Sequence, residues 1–141
     1  MSGAVERRAI IIHSSVAVEM AVGERTDVPI AWRTWLAEDR VLLAPAGHWT
    51  EVGDALMRHL GRDAADVAGR MEALETSGIE IADRGAPDVR MALSPAARHG
   101  LSVGDATYLW LAISMGGELA TLDWTLARAA RAEGVPLAIE P

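Results

Sequence analysis

One segment, Gly100 to Asp123, constrains the fold more than any other. Ser102 offers an N-cap hydroxyl ahead of a helix that contains the apolar run Leu109–Ile113, and Gly116-Gly117 stops that helix. Glu118 to Thr121 then reads as a short strand with Asp123 just beyond its end. A helix that turns straight into a strand belongs to an open α/β sheet, in which side chains at strand ends and in first helical turns face a common crevice. Asp105 and Asp123 occupy two such places.

The remainder of the chain fits the same architecture. Arg8 to His13 carries a β-branched run without polar alternation, the pattern of a central strand buried on both faces of a parallel sheet. His13 closes that strand, and Ser14-Ser15 open a short helix that ends near Gly23. Pro29 suits the first turn of a helix running through Trp32 and Trp35 to Glu38, whose two tryptophans share a face and predict core packing. Arg40 to Ala44 is a second strand closed by Pro45, and a helix from about Gly47 to Leu60 follows with Glu51 in its first turn. Asp63 caps the next helix, Gly78 stops it, and Ile79 to Ile81 forms a third strand. Arg84 to Asp88 reads as a loop before a helix over Val89–His99 that contains Pro95, and Trp124–Ala132 and Pro136–Ile139 complete the pattern as a last helix and an edge strand. Alternating strands and helices predict an α/β, three-layer sandwich around a mostly parallel sheet of four to five strands, in one domain spanning residues 1–141.

Composition narrows the chemistry. With no cysteine, disulfides and thiolate metal sites are excluded, so any ligands must be oxygen or imidazole. The longest apolar runs fall far below the roughly 18 residues of a membrane helix, and Glu6-Arg7-Arg8 precedes only four apolar residues, so no secretory signal is read and a cytoplasmic protein is expected. The net charge of −7, with thirteen arginines and no lysine, argues against tight nonspecific binding of nucleic acid through a basic face. It does not exclude phosphodiester chemistry at an acidic cluster bridged by cations.

Taken singly, the acids have structural explanations. Ser102-Val-Gly-Asp105 fits a capping box, Asp123 an N-cap, and Glu51 a favourable place on a helix dipole. The topology nevertheless delivers His13, Glu51, Asp105 and Asp123 toward one rim, where clustered carboxylates call for a hard cation. His48 and His59 read as helix-surface residues, Trp110 and Trp124 as core or dimer contacts, and Arg33, Arg58 and Arg128 as solvated arginines within reach of RNA phosphates.

Four blocks, Ile11 to Val18, Leu43 to Leu56, Gly100 to Leu109 and Leu119 to Asp123, resemble in order the signature blocks of PIN domains, especially the VapC-type toxins of toxin–antitoxin pairs. The resemblance implies a PIN-like fold and a ribonuclease dependent on Mg2+ or Mn2+. Its catalytic acids and metal ligands fall on Glu51, Asp105 and Asp123, with Thr121 and Ser15 in support, and its partners would be an RNA substrate, a cognate antitoxin and a second copy of the chain. The departure is His13, where the family's pattern has an aspartate ligand. The His13 imidazole is itself a candidate ligand for Mn2+ or a later transition metal, but it suits Mg2+ poorly and removes one negative charge. The alternative to an active nuclease is therefore an inactive PIN-like module that binds an antitoxin or RNA.

Overall fold

Ile10, Ile11 and Ile12 are wholly buried, because a strand in the middle of a parallel sheet has helices or loops over both faces and no side left for water. In the computed structural model, which describes residues 8–141, these three residues form β1 (Ile10–Ile12), a shorter strand than the Arg8–His13 run of the sequence. Glu6 and Arg7 lie outside the described residues. The chain continues through α1 (Ser14–Val22), α2 (Asp27–Ala37), β2 (Leu42–Ala44), α3 (His48–His59), α4 (Ala64–Glu75) and β3 (Ile79–Ile81). It ends through α5 (Ala86–His99), α6 (Val103–Met115), β4 (Glu118–Ala120), α7 (Trp124–Ala132) and β5 (Leu137–Ile139).

The five strands make one sheet in the order β3-β2-β1-β4-β5, and every neighbouring pair is parallel. The order reverses at β1, which pairs with β2 on one side and β4 on the other, so the crevice expected beyond the carboxyl ends of the strands opens there. Two groups of helices pack together, α1 to α4 in one and α5 to α7 in the other, with α6 against β1 and β4. The core is continuous through the isoleucines of β1, Leu42, Leu119, Leu109, Leu126 and Trp32. Trp32 satisfies its indole N–H on the Ser77 carbonyl at 3.0 Å, and Trp35 is buried beside it, as their shared helical face predicts.

Two expectations need correction. The stretch Arg84–Asp88 is not all loop: Gly85 sits at φ 77°, and α5 begins at Ala86 with Pro87 in the first turn, where a missing N–H costs nothing. Trp124, read as a core or dimer contact, is 64% exposed at the start of α7, which removes the core half of that expectation. Pro95 is carried inside α5, which continues to His99. Among the described residues, no helix is long and apolar enough to cross a membrane.

Candidate active site

Helices that return to a parallel strand run against it, so α3 and α6 begin at the rim where β1 and β4 end. That places Glu51, in the first turn of α3, and Asp105, in the first turn of α6, beside His13 at the end of β1. Ser102 caps α6, its Oγ accepting the Asp105 N–H at 3.1 Å. The Asp105 carboxylate does not fold back to complete a capping box. It accepts instead from His13, whose Nε2 lies 2.9 Å from Oδ1.

His13 is 5% exposed and fully engaged. Its Nδ1 meets Ser15 Oγ at 2.8 Å and Thr121 Oγ1 at 3.0 Å. Those two hydroxyls accept the backbone N–H groups of Leu122, at 2.9 Å, and Asp123, at 3.0 Å, which leaves their hydrogens to share the single lone pair of Nδ1. An ionised carboxylate only accepts, so Nε2 carries the imidazole hydrogen and Nδ1 receives. The hydrogen bond from His13 is the main reason the Asp105 carboxyl lies below its ordinary range, with burial working against it.

Glu51 has a different neighbour. Tyr108, one turn after Asp105 on α6, donates its hydroxyl to Glu51 Oε2 at 3.0 Å. Burial raises the Glu51 pKa, partly offset by that donor and by His13, while the nearby Asp105 charge pushes the same way as burial. Glu51 Oε1 lies 3.5 Å from the place a Cβ on Gly104 would occupy, an ordinary contact distance that sets Glu51 beside the residue preceding Asp105. Glu51 also lines an open groove of about 660 Å3 with Pro45, Asp83, Val89, Val103 and Thr107. The Tyr108 hydroxyl is 2.9 Å from His48 Nδ1, and the His13 ring packs edge-on to Tyr108 with centroids 4.8 Å apart.

Asp123 caps α7, Oδ1 accepting from Leu126 N at 2.9 Å. It joins the cluster only through Thr121, whose hydroxyl contacts both the Asp123 backbone and His13. His13, Asp105, Ser15 and Thr121 thus form one hydrogen-bonded group, Glu51 adjoins it, and Asp123 flanks it. Sequence reasoning missed Tyr108 altogether and placed His48 on the surface, whereas His48 is wholly buried. The available signal was spacing: Tyr108 lies one turn from Asp105, and His48 one turn from Glu51, each on the same helical face.

The donor set suits a divalent cation only in an open site. Among the described residues, no three His, Asp or Glu side chains come close enough to enclose an ion by themselves. Mg2+ rarely needs such a cage, being held by one or two carboxylates, waters and substrate phosphates. Glu51 and Asp105 are hard oxygen donors whose carboxylates keep lone pairs beyond the hydrogen bonds they accept, so an open site of that kind fits.

Several solved structures share this fold. The PAE2754 protein of Pyrobaculum aerophilum is similar at a TM-score of 0.70 and 19% identity, over 94% of this chain and 89% of its own. VapC20 of Mycobacterium tuberculosis, a sarcin-ricin loop cleaving toxin, gives 0.68 and 17% over 86% of this chain and 95% of its own. A toxin–antitoxin complex from Klebsiella pneumoniae gives 0.65 and 16% over 94% and 100%. No curated protein matches the chain. The family model for the PIN domain, however, matches residues 10–132, nearly the whole of the sheet and its helices, and the chain therefore belongs to the PIN domain family.

Proposed function

We propose that the protein is a toxin-type endoribonuclease that hydrolyses RNA phosphodiester bonds with Mg2+ or Mn2+ held in an open site by Glu51 and Asp105, with Asp123 completing the acidic set at its flank. The observation that carries this reading is the meeting of Glu51 and Asp105, from helices 54 positions apart in sequence, at the reversal of strand order. Family membership and the fold shared with VapC20 and a toxin–antitoxin complex support it.

A divalent cation bound there supplies an activated water and neutralises charge on the phosphoryl oxygens. Asp105, kept ionised by the His13 N–H, is the carboxylate most ready to bind it. Glu51 would share the ion with it, and Asp123 would add a further negative charge beside them. Ser15 and Thr121 hold the imidazole that orients Asp105, a supporting role that commonly changes metal affinity by about 10–100-fold. Arg33, Arg58 and Arg128 are exposed and available to RNA phosphates. An antitoxin that covers the site and a second copy of the chain complete the proposed partners.

The His13–Asp105 bond favours a second reading. An imidazole hydrogen already sits where the family's pattern has a metal-binding carboxylate, which suits an inactive module that binds antitoxin or RNA. Incubating the protein and a His13→Asp variant with structured RNA in Mg2+ and in Mn2+ separates the two. Cleavage by the protein itself supports the nuclease. Cleavage by the variant alone assigns the inactive module. Inert variant and protein, on several RNAs with both metals, end the nuclease reading.

A further inference from the structure

His48 opens α3 and is 0% exposed, yet its two ring nitrogens are treated very differently. Nδ1 is 2.9 Å from the Tyr108 hydroxyl, and Nε2 has no partner among the described residues. Tyr108 is likewise wholly buried. Its single hydroxyl hydrogen is directed to Glu51 Oε2, 3.0 Å away. With that hydrogen committed, the phenolic oxygen can only accept from His48, which requires the imidazole hydrogen on Nδ1 and a bare lone pair on Nε2. The reverse order would run from a protonated Glu51 through Tyr108 to Nδ1. It would bury an N–H on Nε2 without an acceptor, and orphaned donors are rarer in proteins than under-used acceptors.

We propose that His48 and Tyr108 are positioning residues for Glu51: the His48 Nδ1–H fixes the Tyr108 hydroxyl as a one-way donor that holds Oε2 and leaves Oε1 for the cation. The role as a positioning device rests on the nuclease reading above, whereas the direction of the hydrogen bonds does not. Three further features make the chain rigid. His48 and Glu51 lie one turn apart on α3, and Tyr108 lies one turn beyond Asp105 on α6, so the chain ties the helices that carry the two acids. The Tyr108 ring is flanked by His13 at a centroid distance of 4.8 Å and by His48 at 6.0 Å, both edge-on. Burial also pushes the His48 pKa down to about 4, so Nδ1 carries its hydrogen on an uncharged ring at neutral pH. One residue therefore braces both halves of the site, its hydroxyl on Glu51 and its ring on the histidine that holds Asp105.

The hydrogen-bond order is read directly from the 15N shifts of the His48 ring by NMR, without metal or RNA. The uncharged ring is expected to carry its hydrogen on Nδ1 at pH 7. In Glu51→Ala the Tyr108 hydroxyl loses its acceptor and can donate to His48, so the share of the Nε2–H form should rise measurably, held below completion by the missing acceptor at Nε2. An Nε2–H ring in the unaltered protein, or a ring indifferent to Glu51→Ala, overturns the proposal.

The consequence for the site is read by Mn2+ titration. Tyr108→Phe and His48→Gln should each weaken Mn2+ binding by about 10-fold or more. His48→Asn should keep affinity within a few-fold, because the Asn amide nitrogen falls near the Nδ1 position and can donate to Tyr108. Equal losses in the Asn and Gln variants, with melting temperatures alike, would show mere packing and overturn the role. Absence of Mn2+ binding by the unaltered protein would instead remove the nuclease reading and the positioning role with it, while the ring shifts still decide the order of the chain.

Discussion

His13 Nε2 and Asp105 Oδ1 stand 2.9 Å apart across 92 positions of sequence, one at the end of the central strand and the other in the first turn of α6. The bond gives the site its acid–imidazole character. Removing it should cost stability, because a hydrogen bond to a charged group contributes about 1.5–3 kcal/mol. His13→Asp sets a second carboxylate against Asp105 in place of a donor. In EDTA its melting temperature is expected to fall by about 5–8 °C, and Mn2+ should recover more of that loss than it adds to the unaltered protein. Equal melting of the two proteins in EDTA would mean that the imidazole contributes nothing to the fold.

Glu51 tests the converse, an acid held at a cost. Burial raises its pKa from the ordinary 4.5, so the folded state favours the protonated form. That preference is fully present below pH 4.5 and is lost as pH rises through the raised value. Glu51→Gln removes the charge while keeping an acceptor for Tyr108. At pH 7 the variant should be the more stable, by at most about 1 kcal/mol after solvent screening, or roughly 3 °C, and the advantage should vanish at pH 4. Mn2+ affinity should fall in the same variant. A variant that melts at or below the temperature of the unaltered protein at pH 7 would show that the ionised Glu51 is comfortable where it is.

The pH dependence of stability near neutrality should belong to His48. Its pKa falls from 6.5 unfolded to about 4 folded, because burial disfavours the charged ring. A depressed folded pKa means that this stability is complete above pH 6.5 and drains away as pH falls toward 4, since the unfolded chain binds the proton first. From pH 7 to pH 5 the loss should be about 2 kcal/mol. Urea unfolding at the two pH values measures it, and His48→Asn should flatten the slope. An unchanged slope in that variant would assign the acid sensitivity to another group.

Periodicity made most of the fold legible, and the reasons are local. Ile10–Ile12 announces a doubly buried strand, Asp63 and Ser102 announce helix starts by offering an acceptor to the N–H three residues on, and Gly116 announces a stop. The start of α5 was obscured because Gly85-Ala-Pro-Asp88 has the composition of a turn, and only the helix itself shows that Pro87 lies inside its first turn. At the site, first-turn and strand-end positions brought out Glu51, Asp105 and Asp123, since a rim position follows from element order alone. The His48–Tyr108–Glu51 chain was not legible. A histidine at the start of a helix reads as polar surface, and its burial depends on a tyrosine 60 residues away. For the same reason the sequence marks Asp105 as a capping-box acid, while its carboxylate is in fact turned to His13.

The turn between α6 and β4 contains two glycines that should respond differently to the same substitution. Gly116 has a φ of 61° with open space where a Cβ would stand, so Gly116→Ala meets only the left-handed backbone penalty of about 1–2 kcal/mol. At Gly117 a Cβ would lie 2.6 Å from the Ala9 carbonyl oxygen, a backbone atom that accepts the Glu118 N–H at 2.9 Å in the pairing of β4 with the start of β1. That atom cannot move aside without breaking the bond. Gly117→Ala should therefore combine overpacking of about 1–3 kcal/mol with loss of that hydrogen bond, about 1 kcal/mol more. It should also shift His13 relative to Asp105, because β1 leads directly into His13. Chemical denaturation is expected to rank Gly117→Ala below Gly116→Ala, and NMR of the His13 ring should change only in the former. The opposite ranking would mean that β4 can slide along β1 without loss, and that the register of Ile10 with Glu118 does not fix the site.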